Sequence, residues 1–217
     1  MIVAIWKPSG PTSFQIIYQL REITGEKRIG HAGTLDPLAS GVLIIGIGRE
    51  STKQLDTFMH QDKAYTATLV LGKTSSTDDS EGEIKDFNLD IHPTVQQVQA
   101  VISDFIGDIQ QIPPIFSAIK IKGKNSYELA RKGKAVELKS RQVSIYSIKI
   151  ITYNYPSLQI SVECGKGTYI RSLARDIGDK LKTGAHITQL TRTKVGNYSE
   201  QNSLTLEQFK QFWIKQQ

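Results

Sequence analysis

An α+β fold, with a mixed, largely antiparallel sheet flanked by helices and a cleft across its middle, is what this sequence predicts. Strand-like runs come in neighbouring groups rather than in one-to-one alternation with helices, which argues against a doubly wound parallel sheet. Helix-opening capping boxes stand at Thr12/Gln15 and Thr94/Gln97. Alternating apolar positions over 63–72 and 158–164 read as strands with one buried face. With 217 residues and 39% hydrophobic content, the chain is expected to form a single domain over 1–217 with a packed core.

Taken in order, apolar residues 2–6 predict a strand and Lys7-Pro8-Ser9-Gly10-Pro11 a turn. Thr12 then opens a helix whose stripe is Phe14, Ile17, Leu20 and Ile23, ended by Gly25. The stretch from Gly30 to Gly41 has too many glycines for a helix and too little alternation for a strand, so a loop is expected. Within it Pro37 fixes its own φ and pushes Asp36 out of the helical region, which places one carboxylate on a constrained turn. Val42–Ile45 begins a buried strand reaching 47, and Leu55, Phe58 and Met59 share one face of a following helix. In the strand at 63–72, Tyr65, Ala67, Leu69 and Leu71 lie on one side.

Residues 73–83 are polar and acidic and read as a structural loop, without the spacing of a calcium-binding loop. The helix after Thr94 buries Val98, Val101, Ile102 and Phe105, and 136–153 reads as a bent strand. Leu158, Ile160, Val162 and Cys164 alternate, with Cys164 assigned to the core. Gly165–Arg171 turns that strand into a helix striped by Ile170, Leu173, Ala174, Ile177 and Leu181. A last strand at 186–196 and a terminal helix from near Thr205, carrying Leu206, Phe209 and Trp213, complete the chain.

Composition narrows function by exclusion. No apolar run approaches a membrane span and the N-terminus lacks a signal-peptide layout, so a cytoplasmic protein is expected. One cysteine precludes an internal disulfide, and the four histidines lack metal-ligand spacing, so no metal is expected. Phosphate-loop and dinucleotide fingerprints are missing, which argues against a kinase or a nucleotide-dependent oxidoreductase and predicts no cofactor. The net charge is +6. Lys120, Lys122, Lys124, Arg131, Lys132, Lys134, Lys139 and Arg141 crowd one segment, opposed there by Glu128 and Glu137. That segment is either a solvated face or an electrostatic track for phosphates.

An isolated Asp-Pro is ordinarily a turn residue bonding nearby backbone. The whole run Gly30-His31-Ala32-Gly33-Thr34-Leu35-Asp36-Pro37-Leu38-Ala39-Ser40-Gly41, however, resembles the catalytic loop of the TruB family of tRNA pseudouridine synthases. It departs from the family's commoner residues at Thr34 and Ser40, where Ala and Thr are more usual. Lys7–Ser13 resembles the family's opening motif and Lys63–Gly72 its second. Pro113–Ala118 with Tyr127–Gly133, then Cys164–Arg171, then Leu190–Gly196 resemble later segments in the same order.

The resemblance implies the pseudouridine synthase fold and, at the site, Asp36 as the catalytic carboxylate. Tyr65 would stack on the flipped uracil and help move a proton, and Arg171 would pair with Asp36. Tyr169 would lie under the base and Leu190 would line the pocket. Lys7 would support the site, and His31 would position the nucleotide rather than act as acid or base. From the residues alone, Gly165–Gly167 before a helix is also readable as a weak phosphate cradle.

The implied reaction is isomerisation of the uridine at position 55 in the T-loop of tRNA. The base is flipped out and the stem-loop is recognised by shape. About 112–146 would be a basic RNA-gripping segment, with Lys120, Lys122, Lys124, Arg131 and Lys132 meeting phosphates. A monomer without the C-terminal PUA-type domain of longer relatives is expected, with more salt-sensitive tRNA binding as a result. The alternative is a non-catalytic RNA-binding or tRNA-folding module, which would not require Asp36, Tyr65 and Arg171 together.

Overall fold

The structure is a computed structural model describing residues 1–87, 92–121, 123–133 and 136–216. The chain divides into two compact units. Unit 1 is Met1–Thr66, Glu163–Lys166 and Gln189–Gln217; unit 2 is Ala67–Val162 and Gly167–Thr188. Strands β4 (Lys63–Leu71), β11 (Ser157–Cys164) and β12 (Ala185–Val195) contribute residues to both.

In unit 1, β1 (Ile2–Lys7) and β2 (Ile29–Ala32) pair antiparallel with β3 (Ser40–Ile47). β12 joins β3 in parallel through Thr191↔Ser40 and Arg192↔Gly41, and β13 (Tyr198–Ser199) pairs with β12. β3 is the centre of this unit: Val42–Ile45 are wholly buried, each contributing about 1.5–3 kcal/mol relative to exposure. Ala4, Ala32, Val42, Ile44, Leu55 and Val195 form one cluster, with Trp6, Phe58 and Tyr198 packed at its margin. Helices α1 (Ser13–Thr24), α2 (Arg49–Met59) and α6 (Leu206–Ile214) belong to this unit. The capping box at Thr12/Gln15 opens α1, and a matching one at Thr205/Gln208 opens α6.

Strand β2 was not expected from so glycine-rich a stretch. It forms because α2 packs on it: a Cβ on Gly30 would stand 3.0 Å from Leu55 Cδ1. Phe14, placed in the buried stripe by periodicity, is 52% exposed. The α1 face that turns inward is Ser13, Ile16, Ile17 and Leu20. Ser13 turns inward because its hydroxyl serves the adjoining loop, which leaves Phe14 edge-on to Tyr18 at 4.8 Å. Met59, the last residue of α2, is likewise exposed.

In unit 2 the strands follow the order β4-β11-β10-β7, where β7 is Gly107–Gln111 and β10 is Arg141–Asn154. β10 starts five residues later than the apolar pattern suggests; 136–140 carry no regular structure, and Val136 and Leu138 are only half-buried. The acidic stretch is the tip of a hairpin, β5 (Lys73–Ser75) with β6 (Ile84–Asp86). A second hairpin, β8 (Lys120–Ile121) with β9 (Lys124–Asn125), leads into α4 (Ser126–Arg131). Helices α3 (Val95–Ser103) and α5 (Ile170–Lys180) pack together. The sheet is thus mixed and largely antiparallel. Among the described residues no helix is long and apolar enough to cross a membrane, and no cluster of metal-ligating side chains occurs.

Candidate active site

Asp36 stands in a loop tied down from three directions, all within unit 1. Ser13, at the start of α1, donates its hydroxyl to the Leu35 carbonyl and accepts from the Leu35 N–H, both at 2.9 Å. Ser9 donates to the Leu38 carbonyl, and the Gly10 N–H donates to the Pro37 carbonyl. Lys7, at the end of β1 and fully buried, donates through Nζ to the carbonyls of Pro8, Pro11 and Pro37. The Ala39 N–H closes a turn onto the Asp36 carbonyl at 3.1 Å. The half-buried Asp36 carboxylate is therefore carried by a backbone with little freedom.

The same loop is also held by a buried cation that sequence reasoning passed over. Arg192 on β12 is 2% exposed and donates from Nε to the Val42 carbonyl and from Nη2 to the Gly33 carbonyl. The signal for it was available: Leu190 and Arg192 are two apart on a strand, so burying the first buries the second. Gly41 makes the approach possible. Its φ is +110°, and a Cβ there would stand 2.2 Å from the Arg192 carbonyl oxygen.

Burial shifts three neighbours, and the Arg192 charge acts on each of them. Burial pushes the Tyr65 phenol above its ordinary value; the Arg192 charge and a hydrogen bond from its side chain oppose this, while the Asp36 charge adds to it. Tyr65 is 8% exposed and neutral, with its hydroxyl proton in place. His31 on β2 is held below its ordinary value by burial and then by Arg192, so it too is neutral near pH 7. Its Nδ1 is buried with no hydrogen-bond partner among the described residues. Lys63 is lowered by the same two causes in the same order. Leu190, 8% exposed, lies on β12 two residues before Arg192.

In unit 2, Arg171 is the second residue of α5 and is 6% exposed. Its Nη1 lies 3.3 Å from Asp79 Oδ2 and donates to the Thr77 carbonyl at 3.1 Å, while Nη2 donates to the Phe116 carbonyl at 2.9 Å. Asp79, 1% exposed at the hairpin tip, also accepts from the Thr77 hydroxyl and the Glu81 N–H on Oδ1. The acidic loop thus holds a buried partner for Arg171, a role that its composition did not reveal. Asp78 and Asp176 both meet Arg175 at 2.9 Å, yet burial outweighs that attraction and raises both carboxyls. The other predicted residues of this unit divide by exposure. Tyr169 is half-buried at the N-cap of α5; Lys120, Lys124, Arg131 and Lys132 are exposed on the β8–β9 hairpin and α4. Lys122 lies outside the described residues. Asp36, Tyr65, His31, Lys7 and Leu190 all belong to unit 1; Arg171, Tyr169 and the basic segment belong to unit 2.

Residues 21–170 match the TruB family pseudouridylate synthase (N terminal domain), and 171–217 match the tRNA pseudouridylate synthase B C-terminal domain. The chain is 46% identical to a tRNA pseudouridine synthase B of Protochlamydia amoebophila over 203 residues, covering 94% of this chain and 77% of that one. It is 46% identical over 217 residues to the protein of the same name in Phocaeicola vulgatus, covering 97% and 92%. Among solved structures, a Cbf5-Nop10-Gar1 complex contains a chain that superposes with a TM-score of 0.77 at 27% identity. That superposition covers 99% of this chain but 56% of the other, so this chain spans little more than half its length. With a constrained Asp36 loop and a family match running from 21 to the C-terminus, the chain belongs to the TruB family of pseudouridylate synthases.

Proposed function

We propose that this protein is a tRNA pseudouridine synthase, an isomerase that converts the uridine at position 55 of the T-loop to pseudouridine. The observation that carries the reading is the Asp36 carboxylate on its pinned loop, beside the buried pair Tyr65 and Arg192. In the reaction the N1–C1′ bond breaks and a C5–C1′ bond forms. The C5 proton is lost and N1 gains one, so atoms balance without redox partner or energy input. Asp36 acts as the reactive carboxylate; attack at sugar C1′, attack at base C6 or removal of a sugar proton all give that outcome. Arg171 supplies its counter-charge, and the Asp79 contact keeps that guanidinium fixed in unit 2.

Tyr65 receives the face of the extruded uracil, and its protonated hydroxyl is available for the C5 proton transfer. Tyr169 and Leu190 wall the base. Neutral His31, half-buried on β2, positions the distorted RNA loop rather than transferring a proton. Lys7 holds the catalytic loop through the Pro37 carbonyl. The exposed cations Lys120, Lys124, Arg131 and Lys132 meet phosphates of the T-stem-loop. The enzyme acts as a monomer in the cytoplasm.

The test uses unmodified tRNA transcript, wild-type protein and Asp36→Asn, with pseudouridine mapped afterwards. Wild type is expected to modify the T-loop uridine, and Asp36→Asn to bind the transcript without modifying it. His31→Ala should lose far less turnover than Asp36→Asn. A wild type that binds without modifying, or an Asp36→Asn protein that still turns over, overturns the reading.

A further inference from the structure

Unit 2 contains a polar rung that the proposed chemistry does not use. In the register of β7 with β10, Gln111 stands directly opposite Arg141. Gln111 is fully buried, and its side-chain amide engages one peptide position from both sides. Nε2 donates to the Tyr169 carbonyl at 3.1 Å, and Oε1 accepts from the Tyr169 N–H at 2.9 Å. Its cross-strand neighbour addresses the same residue differently: the Arg141 guanidinium lies over the Tyr169 ring, 5.6 Å from its centroid.

Tyr169 is also where α5 begins, and no side chain of its own caps that helix. Its carbonyl accepts both the first-turn bond from the Leu173 N–H and the bond from Gln111. The Gln111 amide therefore does from a neighbouring strand what the N3 side chain of a capping box does locally, accepting from the N-cap N–H, and with both bonds it fixes the Tyr169 φ and ψ. Arg141 then covers one face of the half-buried ring. In the charge pattern Arg141 counted among the cations of the basic segment; its guanidinium lies over an aromatic ring.

We propose that Gln111 and Arg141 are positioning residues for the reaction. Gln111 sets the backbone from which Tyr169 projects, and Arg141 closes one ring face so that the uracil packs on the other. The proposal rests on the reading of Tyr169 as a wall of the uracil pocket. Near-attack geometry is sensitive to displacements of about 1 Å, which cost up to about a hundredfold in rate. Removing either member should therefore slow the chemical step while leaving tRNA affinity nearly unchanged.

The experiment measures single-turnover rate and tRNA dissociation constant separately for Gln111→Met, Arg141→Met and Tyr169→Ala, and for each methionine variant combined with Tyr169→Ala. Expected are rate losses of about 10- to 100-fold for both methionine variants, with tRNA affinity within about threefold of wild type. Both losses should shrink to about twofold or less when Tyr169→Ala is already present, because the ring they aim is gone. Arg141→Met tests the proposal on its own should Gln111→Met not fold. Equal losses with and without the Tyr169 ring, or a loss confined to tRNA affinity, overturn the positioning role. Methionine variants at wild-type rate beside a slow Tyr169→Ala overturn the rung and leave the pocket wall intact. Tyr169→Ala at wild-type rate overturns the wall and the rung together.

Discussion

Replacing Asp79 by asparagine isolates one ion pair, because its two carboxylate oxygens have separate duties. Oδ1 accepts from the Thr77 hydroxyl and the Glu81 N–H, and an asparagine oxygen accepts from both equally well. Oδ2 faces Arg171 Nη1 at 3.3 Å, and there Asp79→Asn puts an NH₂ against a guanidinium. The hairpin tip is thus retained and the buried pair alone is broken. Side-chain exposures of 7% for Arg171 and 2% for Asp79 put the pair in the buried class, where removing one partner costs about 3–5 kcal/mol. Arg171 keeps the carbonyls of Thr77 and Phe116, so the lower end, about 3 kcal/mol, applies.

That energy corresponds to about a hundredfold in an opening equilibrium. Native-state hydrogen exchange reads it locally: amides of α5 around Leu173–Ile177 should lose about a hundredfold in protection, while amides of β1 and β3 in unit 1 lose much less. A fall of less than about threefold at α5 would refute the reasoning. It would mean that the desolvation of both charges already cancels their attraction.

Asp78→Asn should behave oppositely, costing under about 0.5 kcal/mol at pH 7 in the same exchange experiment. Burial raises the Asp78 carboxyl despite Arg175 at 2.9 Å, so what it contributes is fully present only below its unfolded pKa and is lost as pH rises through the folded one. His31 carries the other sign. Its folded pKa is depressed, so its contribution is complete above about pH 6.5 and is lost as pH falls from there through the folded value, since the unfolded chain takes the proton first. An NMR titration should place the His31 midpoint below that of a free histidine. Gly41→Ala must open the parallel β3–β12 contact at Arg192, at about 3 kcal/mol, or roughly 6–12 °C in Tm; a shift under about 2 °C would be incompatible with that packing.

What was readable in the sequence is what local rules encode. Thr12/Gln15 and Thr94/Gln97 fix helix starts through contacts three residues apart, and both capping boxes formed as patterned. Period-two alternation placed Tyr65, Leu69 and Leu71 on the buried side of β4 for the same reason. What was not readable depended on partners far along the chain. Phe14 looked like core because periodicity cannot know that the neighbouring Ser13 is drawn inward to bond Leu35, twenty-two residues on. Asp79 looked like a polar loop residue, and nothing local marked Gln111. Their roles exist only because α5, some 60 to 90 residues later, brings Arg171 and the Tyr169 peptide against them. The Asp36 loop was legible for its dense turn chemistry, but Arg192, which donates to the Gly33 carbonyl within it, arrives from β12.

The buried cations show a common logic that residue type alone conceals. Lys7 donates to the carbonyls of Pro8, Pro11 and Pro37, Arg192 to those of Val42 and Gly33, and Arg171 to those of Thr77 and Phe116. Most of those carbonyls lie in turns, where no helix or sheet neighbour would satisfy them. A prolyl residue makes this acute, because it brings an acceptor without a donor. Each cation thus offsets its own desolvation by satisfying loop carbonyls that would otherwise be stranded, and in doing so it fixes loops that lack hydrogen-bond ladders. A methionine of similar volume in place of Lys7 or Arg192 would fill the space but orphan those carbonyls, and the Asp36 loop would lose its shape together with the charge beside it. Rigidity of the reactive carboxylate and the electrostatics around it therefore have the same physical source.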